Sequence, residues 1–77
     1  MKKKEYLVIT FAETMMALYM EKVCKEDGKE GRIIPLPREI DAGCGLAWAT
    51  EKKEREEWEN YLIDRQIIFE KMVEVMI

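Results

Sequence analysis

The sequence predicts an α+β domain with a ferredoxin-like βαββαβ fold, in which two helices cover one face of a four-stranded antiparallel sheet. Strand-like and helix-like apolar patterns follow one another in that order along the chain. Turn residues separate these segments, and both prolines fall in or beside the second strand segment, where only an edge strand tolerates them. With 77 residues there is room for a single domain, residues 1–77.

The first strand and the first helix follow from the apolar pattern. Residues 6–11 form an apolar, β-branched run typical of a central strand. Thr10 and Glu13 have the spacing of a capping box, which predicts a helix that begins there with Thr10 as its N-cap. The helix carries one apolar stripe, and Gly28 is the left-handed residue expected just after its end.

The second half of the chain predicts an edge strand, a short third strand, a charged helix and a closing strand, over residues 32–36, 46–49, 51–63 and 67–75. Thr50 is the expected N-cap of the second helix. The apolar face of that helix reduces to Trp58 and its neighbours Tyr61 and Leu62, so we expect Trp58 and Trp48 to be core anchors.

Charge and hydropathy exclude several classes of function. The net charge is −3, so the overall field does not attract nucleic acid or anionic lipid. No apolar run approaches the roughly 20 residues that span a bilayer, and no signal-peptide cleavage site follows the first apolar run. We therefore expect a cytoplasmic protein without nucleic-acid or membrane partners.

Residue types for catalysis are scarce. The chain has no histidine and no serine, so neither a Ser–His–Asp nor a Cys–His site can be assembled within it. Its two cysteines do not make a tetrahedral zinc site, and no glycine-rich phosphate loop is present. We expect no metal and no cofactor, and an independent enzyme is the least favoured class of function.

Cys44 is the strongest candidate for chemistry. Gly43 and Gly45 flank it, which leaves the thiol uncovered and allows a turn whose N–H groups point at a thiolate. In the predicted topology this loop lies at the same end of the sheet as the N-terminus of the first helix, and Arg38 precedes it as a source of positive charge. The alternative is that Cys44 only packs where the loop enters the third strand. Cys24 lies at the margin of the helix stripe, where we expect a structural role.

A resemblance to a known family rests on two segments, RIIPLPREI at residues 32–40 and GCGLA at residues 43–47. They are similar to the signature of the small selenium/sulfur carrier-like domains, a family associated with TusA-like sulfur carriers, and the resemblance covers nearly the whole chain. It implies that Cys44 carries the sulfur or selenium atom and that Pro37, Arg38 and Glu39 form its surroundings.

The resulting prediction is a carrier or relay in which Cys44 accepts sulfur or selenium as a persulfide-type adduct and passes it to a protein partner. The alternative is a non-catalytic interaction or regulatory module that uses an exposed sheet edge. A carrier requires an accessible Cys44, whereas an interaction module does not. Self-association into a homodimer, through the fourth strand or the open face of the sheet, is also predicted.

Overall fold

The computed structural model describes residues 3–41, 43–51 and 54–77. Within these ranges the elements are β1 Glu5–Thr10, α1 Thr14–Asp27, β2 Arg32–Pro35, β3 Leu46–Thr50, α2 Arg55–Asp64 and β4 Lys71–Met76. The strands form an antiparallel sheet in the order β2-β3-β1-β4. This order confirms the predicted ferredoxin-like arrangement and places the proline-bearing β2 at an edge, with β4 at the other.

The two faces of the sheet carry different apolar clusters. Side chains alternate along a strand, so Leu7 and Ile9 lie on one face of β1 and Val8 lies on the other. Both helices contribute to the cluster on the first face, and neither contributes to the second. The helix-side core consists of Leu7, Ile9, Phe11, Ala17, Met20, Val23, Cys24, Trp48, Trp58, Leu62, Ile67 and Met72.

α1 begins later than the capping-box spacing predicts. Thr10 is the last residue of β1, and its Oγ1 accepts a hydrogen bond from the Lys71 backbone N–H at 3.0 Å. The N-cap is Glu13, whose side chain makes no capping hydrogen bond. The predicted capping box is therefore wrong, because the sheet uses the threonine hydroxyl. The predicted end of α1 is confirmed, since Gly28 follows it with φ 68°.

α2 is short and is held by few side chains. Thr50 is buried at the end of β3 instead of capping the helix, which begins at Arg55 after residues 52 and 53, both outside the described ranges. The buried residues of α2 are Trp58 and Leu62. The rings of Trp58 and Trp48 have centroids 6.4 Å apart, which confirms both as core anchors.

β4 also begins later than predicted, at Lys71. Ile67 and Phe69 precede the strand and pack against the helix-side core, whereas Val73 and Val75 lie on the opposite face. Phe69 is therefore not part of the alternating strand face predicted for it. The segment between α2 and β4 therefore packs against the helix-side core before the chain enters the sheet at Lys71.

Candidate functional site

The Cys44 loop, residues 36–45, joins β2 to β3 at the end of the sheet where β1 ends and α1 begins. Residue 42 lies outside the described ranges. The Leu36 N–H donates to the Gly45 carbonyl at 2.9 Å and closes the base of the loop, and the Cys44 N–H donates to the Phe11 carbonyl at 3.2 Å. Cys44 therefore lies beside the β1–α1 connection, at the end of the sheet that the sequence predicts.

Two glycines allow this path for different reasons. Gly45 has φ 82°, a left-handed conformation that residues with a Cβ rarely adopt. At Gly43, a Cβ would lie 3.2 Å from both the Cα and the carbonyl oxygen of Ala12, closer than ordinary contact. Conformation favours glycine at position 45, and close packing against Ala12 favours it at position 43.

The Cys44 loop has contacts on both faces of the sheet. Cys44 is half-buried and packs against the helix-side core. Ile40, only 9% exposed, packs on the opposite face with Val8 and Ala47. Its N–H donates to the Pro37 carbonyl at 3.0 Å, which makes residues 37–40 a tight turn. The turn and Cys44 are thus fixed on opposite faces.

Arg38 and Glu39 lie in that turn, and both are exposed. Among the described residues, no hydrogen bond or ion pair joins either side chain to Cys44 or joins the two to each other. The predicted surroundings of Cys44 therefore divide into adjacent glycines and a more distant turn. A supporting role for Arg38 and Glu39 stays a prediction.

The Cys44 thiol donates to the carbonyl oxygen of Leu46, with 3.5 Å between sulfur and oxygen. Only a protonated sulfur can donate, so this contact belongs to the thiol and not to the thiolate. The Cys44 N–H already binds the Phe11 carbonyl, and the Gly43 N–H binds the carboxylate of Glu70 at 3.1 Å. The expectation that these N–H groups point at a thiolate is wrong. A nucleophilic Cys44 must lose its proton and leave Leu46.

Glu70 and Lys71 are parts of the site that sequence reasoning does not single out. Glu70 binds the Gly43 N–H, and the Lys71 ammonium donates to the carbonyl of Asp41 at 2.6 Å. No local motif marks either residue. The signal that could have found them is topological, since the start of β4 lies at the same end of the sheet as the Cys44 loop.

Cys24 has the opposite environment. It is fully buried in the helix-side core. Burial raises the pKa of its thiol to about 11, against a smaller opposing effect of a hydrogen bond with Tyr61. Burial and the hydrogen bond to Asp27 also raise the pKa of the Tyr61 hydroxyl. These facts agree with the structural role predicted for Cys24.

The clefts identified on the described surface lie away from Cys44. Three open clefts of 240 to 280 Å³ share the α1–β2 connection, at the opposite end of the sheet. In the described ranges, no group of three or more His, Cys, Asp or Glu side chains is arranged to hold a metal ion. Nor is any helix there long and apolar enough to cross a membrane.

Fold and site together define a small α+β domain with a half-buried cysteine in a glycine-flanked loop. A family model described as "Putative Se/S carrier protein-like" matches residues 6–74, which include the whole Cys44 loop. The chain belongs to this family, as its sequence resemblance implies. A search of curated proteins and a search of solved structures found no match.

Proposed function

We propose that Cys44 is the residue on which this family member carries sulfur or selenium between two partner proteins. Membership of the family supports the carrier class. The observation that supports the assignment is the contrast between the two cysteines, since Cys44 is only half-buried, in a glycine-flanked loop, and Cys24 is fully buried. The protein partners, the cytoplasmic location and a relation to TusA-like carriers stay predictions.

The proposed transfer is an exchange between a thiolate and a persulfide. Cys44 first gives its proton to solvent and leaves the carbonyl of Leu46. Its sulfur then attacks the outer sulfur of a donor persulfide, R–S–SH, so that one S–S bond forms as the other breaks. The electron pair of the broken bond leaves on the donor as the thiolate R–S⁻, and the transferred sulfur keeps its proton.

No external oxidant or reductant takes part, because the transferred sulfur is in the same oxidation state before and after the exchange. The same attack by an acceptor thiolate on the outer sulfur of loaded Cys44 restores the Cys44 thiolate. Selenium follows the same route with a donor of the form R–S–SeH. The step needs an accessible sulfur and a docked partner but no enclosed pocket.

The direct test is to incubate the protein with a cysteine desulfurase and cysteine and to measure intact and peptide masses. We expect a gain of one sulfur atom on the peptide that contains Cys44, reversed by a thiol reductant. Cys24→Ala is the matched control and should load as the parent does, whereas Cys44→Ala should not load. Undiminished loading of Cys44→Ala would exclude the proposal.

The open face of the sheet supports a second candidate, a non-catalytic interaction or regulatory module. Tyr6, Ile34, Val73 and Val75 are half-buried there around Val8, and neither helix packs on them. An apolar sheet face of this kind is a common site of protein contact. Failure of every sulfur or selenium donor to load Cys44, together with protein binding through this face, would favour the module over the carrier.

A further inference from the structure

We infer that Glu70 and Lys71 are positioning residues that fix the Cys44 loop for transfer, an inference that rests on the carrier function proposed for Cys44. The two residues are consecutive: Glu70 comes immediately before β4, and Lys71 is the first residue of that strand. Glu70 binds Gly43, the residue directly before Cys44, and Lys71 binds Asp41, three residues before it.

Each of the two residues binds the sheet through its backbone and the loop through its side chain. The backbone N–H groups of Glu70 and Lys71 donate to the carbonyl oxygen and to Oγ1 of Thr10, at 2.7 and 3.0 Å. The Glu70 carboxylate accepts from Gly43 at 3.1 Å, and the Lys71 ammonium donates to the Asp41 carbonyl at 2.6 Å. Because β1 holds the backbone of Glu70 and Lys71 in place, their side chains reach the loop from fixed positions.

The Cys44 loop needs such external contacts. Gly43 is exposed and has no side chain to pack, and a glycine retains more backbone freedom than any other residue. The contact from Glu70 is a charge-assisted hydrogen bond, the stronger kind. Together with the bond from Cys44 to Phe11, it sets where the sulfur lies relative to a docked partner.

Glu70 also places a negative charge at the Cys44 loop, where its carboxylate binds the residue before the cysteine. Loss of the carboxylate therefore has two effects, release of the loop and removal of a charge. Glu70→Gln separates them, since the amide keeps an oxygen that can accept from Gly43 but has no charge. Glu70→Ala removes both.

The experiment measures two rates for each variant, alkylation of Cys44 by iodoacetamide and sulfur uptake from a cysteine desulfurase supplied with cysteine. For Glu70→Ala we expect alkylation to rise roughly fivefold as the loop opens and protein-to-protein uptake to fall by a similar factor. Lys71→Ala should move both rates in the same directions. Glu70→Gln should stay within about twofold of the parent on both rates.

Glu74→Ala is the matched control, because Glu74 is an exposed glutamate within β4 with no hydrogen bond to the loop among the described residues. It should leave both rates unchanged. Equal effects of Glu70→Gln and Glu70→Ala would assign the result to charge and overturn the inference. An unchanged alkylation rate in Glu70→Ala would also overturn the inference. The same holds if both rates fall in Glu70→Ala together with its melting temperature, because the effect would then be a general loss of stability.

Hydrogen exchange at the Gly43 amide gives an independent measurement on the parent protein, should Glu70→Ala fail to fold. Protection of this amide is expected, and exchange at the rate of an unstructured chain would overturn the inference. Alkylation does not depend on sulfur transfer. Absence of uptake by the parent would therefore count against the carrier function alone, while the alkylation rates would still test Glu70.

Discussion

The two cysteines of this chain differ in solvent access, and burial raises the pKa of the Cys24 thiol. Cys44 is half-buried and its thiol contacts a backbone carbonyl, whereas Cys24 is fully buried in the helix-side core. Enclosure disfavours the charged thiolate, which is the form that reacts with electrophiles. The two positions should therefore be distinguishable by reactivity alone.

Iodoacetamide should label Cys44 before Cys24 at pH 7. With its pKa raised to about 11, native Cys24 has on the order of 100-fold less thiolate than the same residue in the unfolded chain, and burial slows the reagent further. Peptide mass spectrometry over time measures both rates, with urea-unfolded protein as the reference. Faster labelling of Cys24 in the native protein, or labelling of Cys44 only in urea, would remove the physical basis of the carrier proposal.

Part of the site is readable from local sequence. Cys44 stands out because the glycines on both sides signal a loop that the structure contains, and Gly45 indeed has a positive φ. Glu70 could not be found in this way, since its bond to Gly43 spans 27 residues and exists only because β4 begins there. The hydrogen bond that the Leu46 carbonyl accepts from the thiol depends likewise on the exact path of the loop.

At the scale of elements, α2 depends on very few side chains. Trp58 and Leu62 are its buried residues, and Trp58 also contacts the rings of Trp48 and Tyr61. The rest of the helix is mostly charged. A helix of this kind is stable through its packing on the sheet and not through its own sequence.

Trp58→Ala should lower the free energy of unfolding by about 3–5 kcal/mol, because it removes the largest buried group of α2 and leaves a cavity. Urea unfolding followed by circular dichroism measures this change. Ile63→Ala on the same helix is the control, since Ile63 is 71% exposed, and should change stability by less than about 0.5 kcal/mol. A Trp58→Ala variant as stable as the control would contradict the packing of α2.

The element order and the edge position of β2 follow from the sequence, because prolines and apolar periodicity act locally. The residues at which the two helices begin could not be predicted from the sequence in the same way. Thr10 and Thr50 both have the side chain of a helix cap, yet both are buried at the ends of central strands. A threonine can cap a helix or end a strand. The pairing of β1 with β3 and β4 selects the second use here, and a short stretch of sequence does not show that pairing.

At the scale of the whole molecule, the sheet leaves surface for a second copy. β4 pairs with β1 on one side only, and its other edge receives a single described bond, from the Arg55 guanidinium to the Met72 carbonyl at 2.9 Å. A largely unpaired edge can add a strand from another chain. The open face offers a second surface, as described above.

We expect sedimentation velocity to show a dimer at high micromolar concentration. Two substitutions identify the surface. Glu74→Pro removes a backbone donor from the free edge of β4 and should abolish an edge-to-edge dimer, whereas Val73→Lys places a charge on the open face and should abolish a face-to-face dimer. A monomer at every concentration tested would show that neither surface associates.

The bonds between β4 and the Cys44 loop have a consequence for a chain that is still being made. Cys44 leaves the ribosome well before Glu70 and Lys71, so the loop first exists with its bond to Phe11 available and its other supports missing. Pairing of β4 with β1 over six residues then brings those supports into place. We expect the thiol to be more open to oxidants before β4 pairs with β1 than after, because the supports from Glu70 and Lys71 arrive only with that pairing.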